Sequence, residues 1–186
     1  MSKIKMNVPF SDESIIKSLQ AGDQVLLSGT IYTARDAAHK RMVEQINNGK
    51  SLPFDIQNQV IYYVGPTPAK SGEIIGSAGP TTSSRMDGYT PTLLEHGLKG
   101  MIGKGYRSPK VIESIADNHA VYFAAIGGSG ALLSQRIKSV EMVAYEDLGT
   151  EAIRKLTVAE FPCIVINDTE GRDWYQESKE KFRQNS

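Results

Sequence analysis

The sequence predicts a single α/β domain, because short apolar segments alternate with helix-start signals along all 186 residues. Apolar residues make up 40% of the chain, which is enough for one hydrophobic core. Glycines follow several apolar segments and bring loops toward one region, where the sites of α/β proteins tend to lie. These glycines are Gly29, Gly65, Gly79, Gly103 and Gly127. We expect one domain over 1–186, with a core at about 10–170 and a helical tail at 171–186.

The first third of the chain predicts a helix, a strand and a second helix. Ser11 is expected to cap the first helix, whose apolar residues fall on one face. An apolar run predicts a strand over 24–32. Thr33 is expected to cap a helix over 34–47, which Asn48-Gly49 would end.

The rest of the chain repeats this alternation. Proline in the first helical turn predicts helices that start at Thr90-Pro91 and at Ser108-Pro109. The charged tail predicts an amphipathic helix. Apolar and β-branched runs predict strands at 59–64, 73–75, 100–102, 120–126, 140–145 and 164–166.

Charge and hydropathy exclude several classes of function. The formal net charge is zero and the pI is about 6.8, which gives no support to a nucleic-acid partner. No apolar run approaches the roughly 20 residues of a membrane span. The first ten residues hold no long apolar stretch typical of a secretory signal, so a cytoplasmic location is expected.

The content of cysteine and histidine argues against a metal site on this chain alone. Cys163 is the only cysteine, whereas an iron–sulfur cluster needs several thiolates. His39, His96 and His119 do not follow a zinc-binding pattern. We therefore expect that this chain alone holds no metal, although another chain could supply one.

The segment 79–87, with sequence GPTTSSRMD, is the strongest candidate for an active-site loop. Four hydroxyls, a guanidinium and a carboxylate follow a Gly-Pro turn, and burying so many polar groups in a core would be costly. Hydroxyls, backbone N–H groups and a planar arginine can together grip the oxygens of a small anion. The segment predicts a site for a carboxylate or a phosphate.

A second candidate lies where the helix over 34–47 begins. Arg35 is a cation in the first helical turn, where it opposes the helix dipole, and this favours an anion-binding role. The alternative is an exposed arginine paired with Asp36 or Glu44. His39 lies on the same helix face and is either near the site or structural. Asp36 and Asp87 are each expected to orient an arginine rather than to act as a base.

Two glycine-rich turns are weaker candidates. Lys104 stands in a Gly-Lys-Gly turn after an apolar strand, as a placed cation or as a solvated turn lysine. The turn is not a phosphate-binding loop, because Leu98 and Gly105 occupy the positions of its first glycine and its hydroxyl residue. The turn 127–131, GGSGA, lacks the dinucleotide-binding spacing and suits either close packing or anion contact.

These segments resemble the β-type component of the iron–sulfur hydro-lyases, the family of class I fumarase and tartrate dehydratase. The resemblance covers about 22–170, and its long central motif is specific. It implies a swivelling β/β/α domain. The matching text is LSGTIYTARDAAHKRM, YYVGPTP, GSAGPTTSSRMDGYTPTLLEHGLKGMIGKG and AAIGGSGALL.

The resemblance also implies roles for individual residues. Thr81, the first threonine of GPTTSSRMD, would be the base that removes the proton from C3 of the substrate. Thr82 and Arg85 would contact substrate, Arg35 would grip a carboxylate, and Lys104 would reach substrate as well. Independently of the resemblance, we expect Asp87, Asp36 and His39 to contact these residues and orient them without touching substrate.

The family further implies a partner and a cofactor. A four-iron four-sulfur cluster would belong to an α subunit, in an α2β2 heterotetramer, which suits a chain with one cysteine. Ala34, Ala38 and Asp87 favour fumarate and malate as substrates over tartrate, and mesaconate stays open. Two other hypotheses are a non-catalytic dicarboxylate-binding module and a phosphate-binding enzyme of another kind.

Overall fold

Two long strands lie side by side at the centre of the fold. The computed structural model describes residues 3–126 and 130–184. The strands in that part of the chain are β1 (Ile4–Val8), β2 (Gln24–Thr33), β3 (Val60–Tyr62), β4 (Gly100–Gly103), β5 (Val121–Ala125), β6 (Ile137–Ala144) and β7 (Ile153–Asn167). The α-helices there are α1 (Glu13–Lys17), α2 (Asp36–Asn47), α3 (Thr90–Glu95), α4 (Pro109–Asp117), α5 (Gly130–Ser134) and α6 (Trp174–Gln184).

The strands form a sheet that closes on itself. Their order is β1-β2-β3-β4-β5-β7-β6, and a further pairing of β2 with β7 completes a barrel of β2, β3, β4, β5 and β7. The strands β2 to β5 run parallel, whereas β7 is antiparallel to both of its barrel neighbours. β1 and β6 extend the sheet beside the first halves of β2 and β7.

Alternate side chains of the barrel strands enter two separate cores. Val60 and Tyr62 of β3 pack inside the barrel with residues of the other barrel strands. Ile61 of β3, like Met101 of β4, packs in the second core beneath the helices. A strand that is buried on both faces has a continuous apolar run, which explains why the sequence marked β3, β4 and β5 clearly.

The predicted α/β class is confirmed, and most of the predicted elements are present. The strands expected at 24–32, 59–64, 100–102, 120–126 and 140–145 correspond to β2 to β6. The helices expected at Thr90-Pro91, at Ser108-Pro109 and in the tail correspond to α3, α4 and α6. The assignment to the swivelling β/β/α folds stays a prediction.

Both predicted helix caps near the N-terminus are wrong by one or two residues. The cap of α1 is Asp12 rather than Ser11, and its carboxylate accepts hydrogen bonds from the amides of Ser14 and Ile15. Thr33 ends β2 instead of capping α2. Its hydroxyl lies 3.2 Å from the carbonyl of Ala152 and accepts a hydrogen bond from the amide of Arg154. Because the hydroxyl is bonded to the start of β7, it is not available to cap α2.

The strand predicted at 73–75 is absent from the described residues, where this segment is a turn inside the loop between β3 and α3. The loop bonds to itself, with the amide of Thr67 donating to Ser77 at 3.1 Å and the amide of Ser77 donating to the Thr67 hydroxyl at 2.8 Å. The predicted strand at 164–166 is only the end of the 15-residue β7. No helix in the described parts of the chain has the length and apolarity to cross a membrane.

Candidate active site

The candidate residues follow the carboxyl ends of β2, β3, β4 and β5, the four parallel strands of the barrel, which meet at one rim. Arg35 follows β2, segment 79–87 follows β3, and Lys104 follows β4. The turn after β5 was also a candidate, and its residues 127–129 lie outside the described residues. Because β7 is antiparallel, its start, preceded by Glu151, lies at the same rim. This rim is where α/β folds commonly place a ligand.

Arg35 is held at the rim by an acid, Glu151, that was not predicted from the sequence. Its Nη2 lies 3.1 Å from Glu151 Oε1 and 3.8 Å from Asp36 Oδ1, and its side chain is 22% exposed. A Cβ on Gly65 would lie 2.9 Å from Arg35 Nη1, so the glycine leaves room for the guanidinium in its present position. Glu44, the other partner considered, lies 3.9 Å from Lys40 instead.

Buried polar atoms without hydrogen bonds concentrate at the start of α2. Arg35 Nε, Asp36 Oδ1 and His39 Nε2 are three of the five such side-chain atoms found in the described residues. A buried polar group without a partner is costly, and native proteins rarely leave one. Three within one helical turn indicate a place where a water molecule, a ligand or another chain completes the bonding.

His39 is fully buried and supports Arg35 through the backbone. Its Nδ1 lies 2.8 Å from the carbonyl oxygen of Arg35, so Nδ1 donates and Nε2 carries the lone pair. Burial, with a smaller effect from the charge of Arg107, lowers the pKa of the His39 imidazole to about 4, although the hydrogen bond to the Arg35 carbonyl acts in the opposite direction. The ring is therefore neutral near pH 7 and adds no positive charge to the rim.

The buried imidazole makes stability depend on pH. In the unfolded chain His39 binds a proton near pH 6.5, but in the folded protein only near pH 4. The unfolded state therefore binds more protons between these values, so we expect the His39 contribution to lower the free energy of unfolding by about 3 kcal/mol as pH falls from 6.5 to 4. Urea unfolding at several pH values measures this. A His39→Gln variant that kept the full pH dependence would contradict the assignment.

Segment 79–87 runs along the end of β4, held by backbone bonds. The amide of Thr81 donates to the carbonyl of Tyr63 at 2.7 Å. Thr82 pairs with Lys104 in a parallel bridge, and the amide of Ser83 donates to the Lys104 carbonyl at 2.9 Å. The backbone thus places the threonines beside the lysine.

The side chains of Thr81, Thr82 and Lys104 are available to a ligand. Within residues 3–126 and 130–184, neither threonine hydroxyl has a hydrogen-bond partner, and the Lys104 ammonium has no ion pair. Thr82 and Lys104 are exposed, and Thr81 is partly buried. The arrangement leaves two hydroxyls and one cation unbonded at the rim.

Arg85 connects segment 79–87 to the start of α2. Its Nη2 donates to Asp36 Oδ2 at 3.1 Å, and the side chain is 52% exposed. Asp36 therefore lies between Arg85 and Arg35 and contacts both. An ion pair this exposed stabilises little, so Arg85 can exchange Asp36 for a ligand carboxylate at small cost.

Asp87 contacts a different arginine. Its two carboxylate oxygens accept hydrogen bonds from Arg107 Nε and from the amide of Ser108, each at 2.7 Å. The sequence predicts that Asp87 orients an arginine, but it does not predict Arg107, which lies twenty residues further along the chain. Nothing local to Arg107 distinguishes it from a surface arginine.

The start of the Gly-Lys-Gly turn depends on the absence of a side chain at Gly103. A Cβ there would lie 2.0 Å from Ser83 Oγ and 2.9 Å from Tyr63 Cδ2. We expect Gly103→Ala to lower the free energy of unfolding by about 1–3 kcal/mol, as overpacking does. Gly88→Ala is the matched control, because a Cβ on Gly88 meets nothing within 4 Å. Thermal unfolding compares the two, and equal stability would contradict the close approach.

A cluster of iron and sulfur does not fit on the residues of this chain. Cys163 is the only thiol in the sequence, and it is buried inside the barrel, where burial raises its pKa. Among the residues that the structure describes, no three His, Cys, Asp or Glu side chains lie close enough to bind a metal.

Fold and rim together define the class of protein: an α/β barrel with a cationic, hydroxyl-bearing rim that is chemically suited to a small carboxylate. The model of the Fumarase C-terminus family matches residues 1–178. The chain therefore belongs to that family, and the resemblance to the β-type or C-terminal part of the hydro-lyases is confirmed.

Three relatives illustrate the similarity. The chain is 39% identical over 178 residues to the anaerobic class I fumarate hydratase of Escherichia coli, covering 94% of this chain and 32% of the relative. It is 38% identical over 159 residues to fumarate hydratase 2 of Leishmania major, covering 84% and 28%. It is 37% identical over 172 residues to a putative L(+)-tartrate dehydratase subunit beta of Methanocaldococcus jannaschii, covering 89% and 88%. The chain thus spans about a third of the fumarate hydratases and most of the tartrate dehydratase subunit.

Proposed function

We propose that this chain is the β subunit of a fumarate hydratase, which with a separate α subunit interconverts fumarate and (S)-malate. The proposal depends on one observation, which is that cations and unbonded hydroxyls lie together at one rim of the barrel. The unbonded groups of Thr81 and Lys104 lie at the same rim as Arg35 and Arg85, and buried atoms there lack partners. A dicarboxylate has the charge and the oxygen acceptors that these groups need.

In this proposal the chain handles the proton at C3 and the substrate carboxylates. Thr81 Oγ removes the C3 proton of malate, and negative charge builds up on the neighbouring carboxylate. Arg35, Arg85 and Lys104 stabilise that charge, most strongly in a site closed to water. No residue of this chain is assigned to the departing hydroxyl group.

Threonine is a weak base, so a physical cause is needed for Thr81 to remove a proton from carbon. Positive charges close to a hydroxyl favour the form that has lost its proton. Arg35, Arg85 and Lys104 supply positive charge at the rim, although Glu151 and Asp36 offset part of the charge of the two arginines, and the neutral His39 imidazole adds none. Exclusion of water on docking of the partner would strengthen the effect of each charge.

The partner in this proposal is an α subunit that holds a four-iron four-sulfur cluster, in an α2β2 heterotetramer. Two observations support it. The chain has a single, buried cysteine and so cannot supply the cluster ligands itself. The relative that it covers to 88% is named as a subunit beta.

The substrate proposed first is fumarate, with tartrate as the alternative. Fumarate is favoured by Ala34, Ala38 and Asp87 in the two motifs and by the names of the E. coli and Leishmania relatives. Tartrate is favoured by the name of the M. jannaschii relative, which resembles this chain in length. Mesaconate, a methylated fumarate, has the same two carboxylates and stays a third substrate to test.

Reconstitution without oxygen tests the proposal. The chain is purified with its natural partner or mixed with a cluster-loaded α component, and fumarate, mesaconate and L-tartrate are assayed in turn. We expect hydration of fumarate by the mixture and none by either component alone. Turnover of tartrate alone would make the chain a tartrate dehydratase subunit. No turnover, with dicarboxylate binding retained, would favour a binding module.

A further inference from the structure

We propose that Arg107 is a positioning residue that fixes the Thr81–Arg85 part of the rim relative to Lys104, an inference that rests on the proposed function. Arg107 follows the Gly-Lys-Gly turn after β4, and its side chain is completely buried. A guanidinium is always charged, so its burial is costly unless every donor finds an acceptor. The hydrogen-bond partners of Arg107 therefore show which segments of the structure it connects.

The guanidinium of Arg107 donates to oxygen atoms of three residues outside its own turn, and its Nη1 also lies 3.7 Å from Met101 Sδ on β4. Its Nε donates to Asp87 at 2.7 Å, its Nη2 to the hydroxyl of Thr90 at 2.7 Å, and its Nη1 to the hydroxyl of Tyr63 at 3.2 Å. Asp87 ends segment 79–87, and Thr90 begins α3 just after it. Tyr63 follows β3, and its carbonyl accepts the amide of Thr81.

Tyr122 makes a second connection between the same two segments. Its hydroxyl lies 2.8 Å from Ser83 Oγ and donates to the Gly105 carbonyl at 2.9 Å. The Arg107 guanidinium lies over this ring, 4.9 Å from its centroid. Arg107 and Tyr122 thus form one buried polar network that joins segment 79–87 to the turn that carries Lys104.

Stability alone does not explain this network. A buried ion pair adds little stability over well-packed apolar groups, because taking the charges out of water offsets their attraction. The planar guanidinium of Arg107 instead provides a fixed geometry, because it holds three oxygen acceptors in defined positions. Arg107 stays behind the rim, and its effect on substrate passes through the positions of Thr81, Arg85 and Lys104.

The test compares Arg107→Lys with a matched control, Arg172→Lys, in the reconstituted complex. Arg172 also bonds a buried aspartate through Nε, Asp168 at 2.6 Å, but it follows the C-terminal end of β7 at the opposite rim. We expect Arg107→Lys to lower kcat by about 10–100-fold with KM changed by less than about threefold, because misplaced reacting groups slow the chemical step. The control should keep its kcat. A folded Arg107→Lys complex with the kcat of the unaltered protein would overturn the inference.

A milder variant covers the case in which Arg107→Lys fails to fold. Tyr63→Phe removes one of the hydrogen bonds to Arg107 and keeps the ring. We expect a smaller fall in kcat, about threefold, again with KM nearly constant. An unchanged kcat in folded Tyr63→Phe, when the lysine variant does not fold, would count against the positioning role.

A measurement that needs no turnover separates this inference from the proposed function. Because the only native cysteine is buried, spin labels can be placed at two exposed residues: Ser84 in segment 79–87, and Lys110 at the start of α4, just after the turn that carries Lys104. We expect the distribution of label distances to broaden in Arg107→Lys and to stay narrow in Arg172→Lys. If the unaltered complex shows no turnover, the proposed function fails, and the distance distribution alone then tests whether Arg107 fixes the position of segment 79–87. An unbroadened distribution would overturn the role of Arg107.

Discussion

Thr81→Val is expected to lower kcat for fumarate hydration by about 10²–10⁴-fold, the usual contribution of a general base. Valine has nearly the same shape as threonine, but it cannot accept a proton. The backbone bond from the amide of Thr81 to Tyr63 does not involve the side chain, so the segment should keep its position. We therefore expect KM, and the Kd of a non-reacting dicarboxylate, to change by less than about threefold.

Thr157→Val is the matched control for this experiment. Thr157 is an exposed residue of β7 on which no step of the proposed reaction depends, and valine suits a strand. Both variants are assayed in the reconstituted complex. Full activity of Thr81→Val would remove Thr81 from the proposed mechanism, whereas loss of dicarboxylate binding would make it a binding residue instead.

Arg35→Lys is expected to weaken dicarboxylate binding by about 10–100-fold, because it replaces a planar, two-pronged donor with a point charge. One charge-assisted hydrogen bond is lost, worth about 1.5–3 kcal/mol. The shorter reach of the ammonium also leaves Glu151 without its partner at 3.1 Å. Calorimetry with a dicarboxylate, and KM in the complex, measure the change.

Arg41→Lys controls for the general effect of this replacement on the same helix. Arg41 makes a two-pronged pair with Asp147, with both distances 2.8 Å, but the pair is exposed and does not involve the groups assigned to substrate. We expect its dicarboxylate affinity to match that of the unaltered chain. Equal loss in both variants would mean that Arg35 acts through the stability of α2 rather than through contact with the ligand.

The sequence predicts the parts of this fold that are encoded locally. β3, β4 and β5 have continuous apolar runs because both of their faces are buried, and Ser108-Pro109 marks a helix start without help from elsewhere. Most of β7 was not predicted because exposed and partly exposed polar residues interrupt its apolar positions. Its length follows from its pairing with β2 and β6, which no local pattern encodes.

The same distinction holds for the candidate site. The motifs located Arg35, Arg85 and Lys104 because unusual local chemistry marks each of them. Glu151 and Arg107 were missed because each matters only through a partner that is distant in sequence: Arg35 for the first and Asp87 for the second. The predicted cap at Thr33 is wrong for the same reason, because its hydroxyl bonds to Ala152 and Arg154, which are distant in sequence.

The pairing of β2 with β7 has a consequence for how the chain folds. Gln24 pairs with Ile164 and Tyr32 with Lys155, so the barrel closes only when segments more than a hundred residues apart meet. Contacts between residues so far apart in sequence form slowly, because the chain loses conformational entropy before the contacts form. During synthesis every cationic rim residue emerges before β7 does, while Glu151 arrives just ahead of it. A nascent chain thus carries the whole set of charges before it has the strand that can hold them in place.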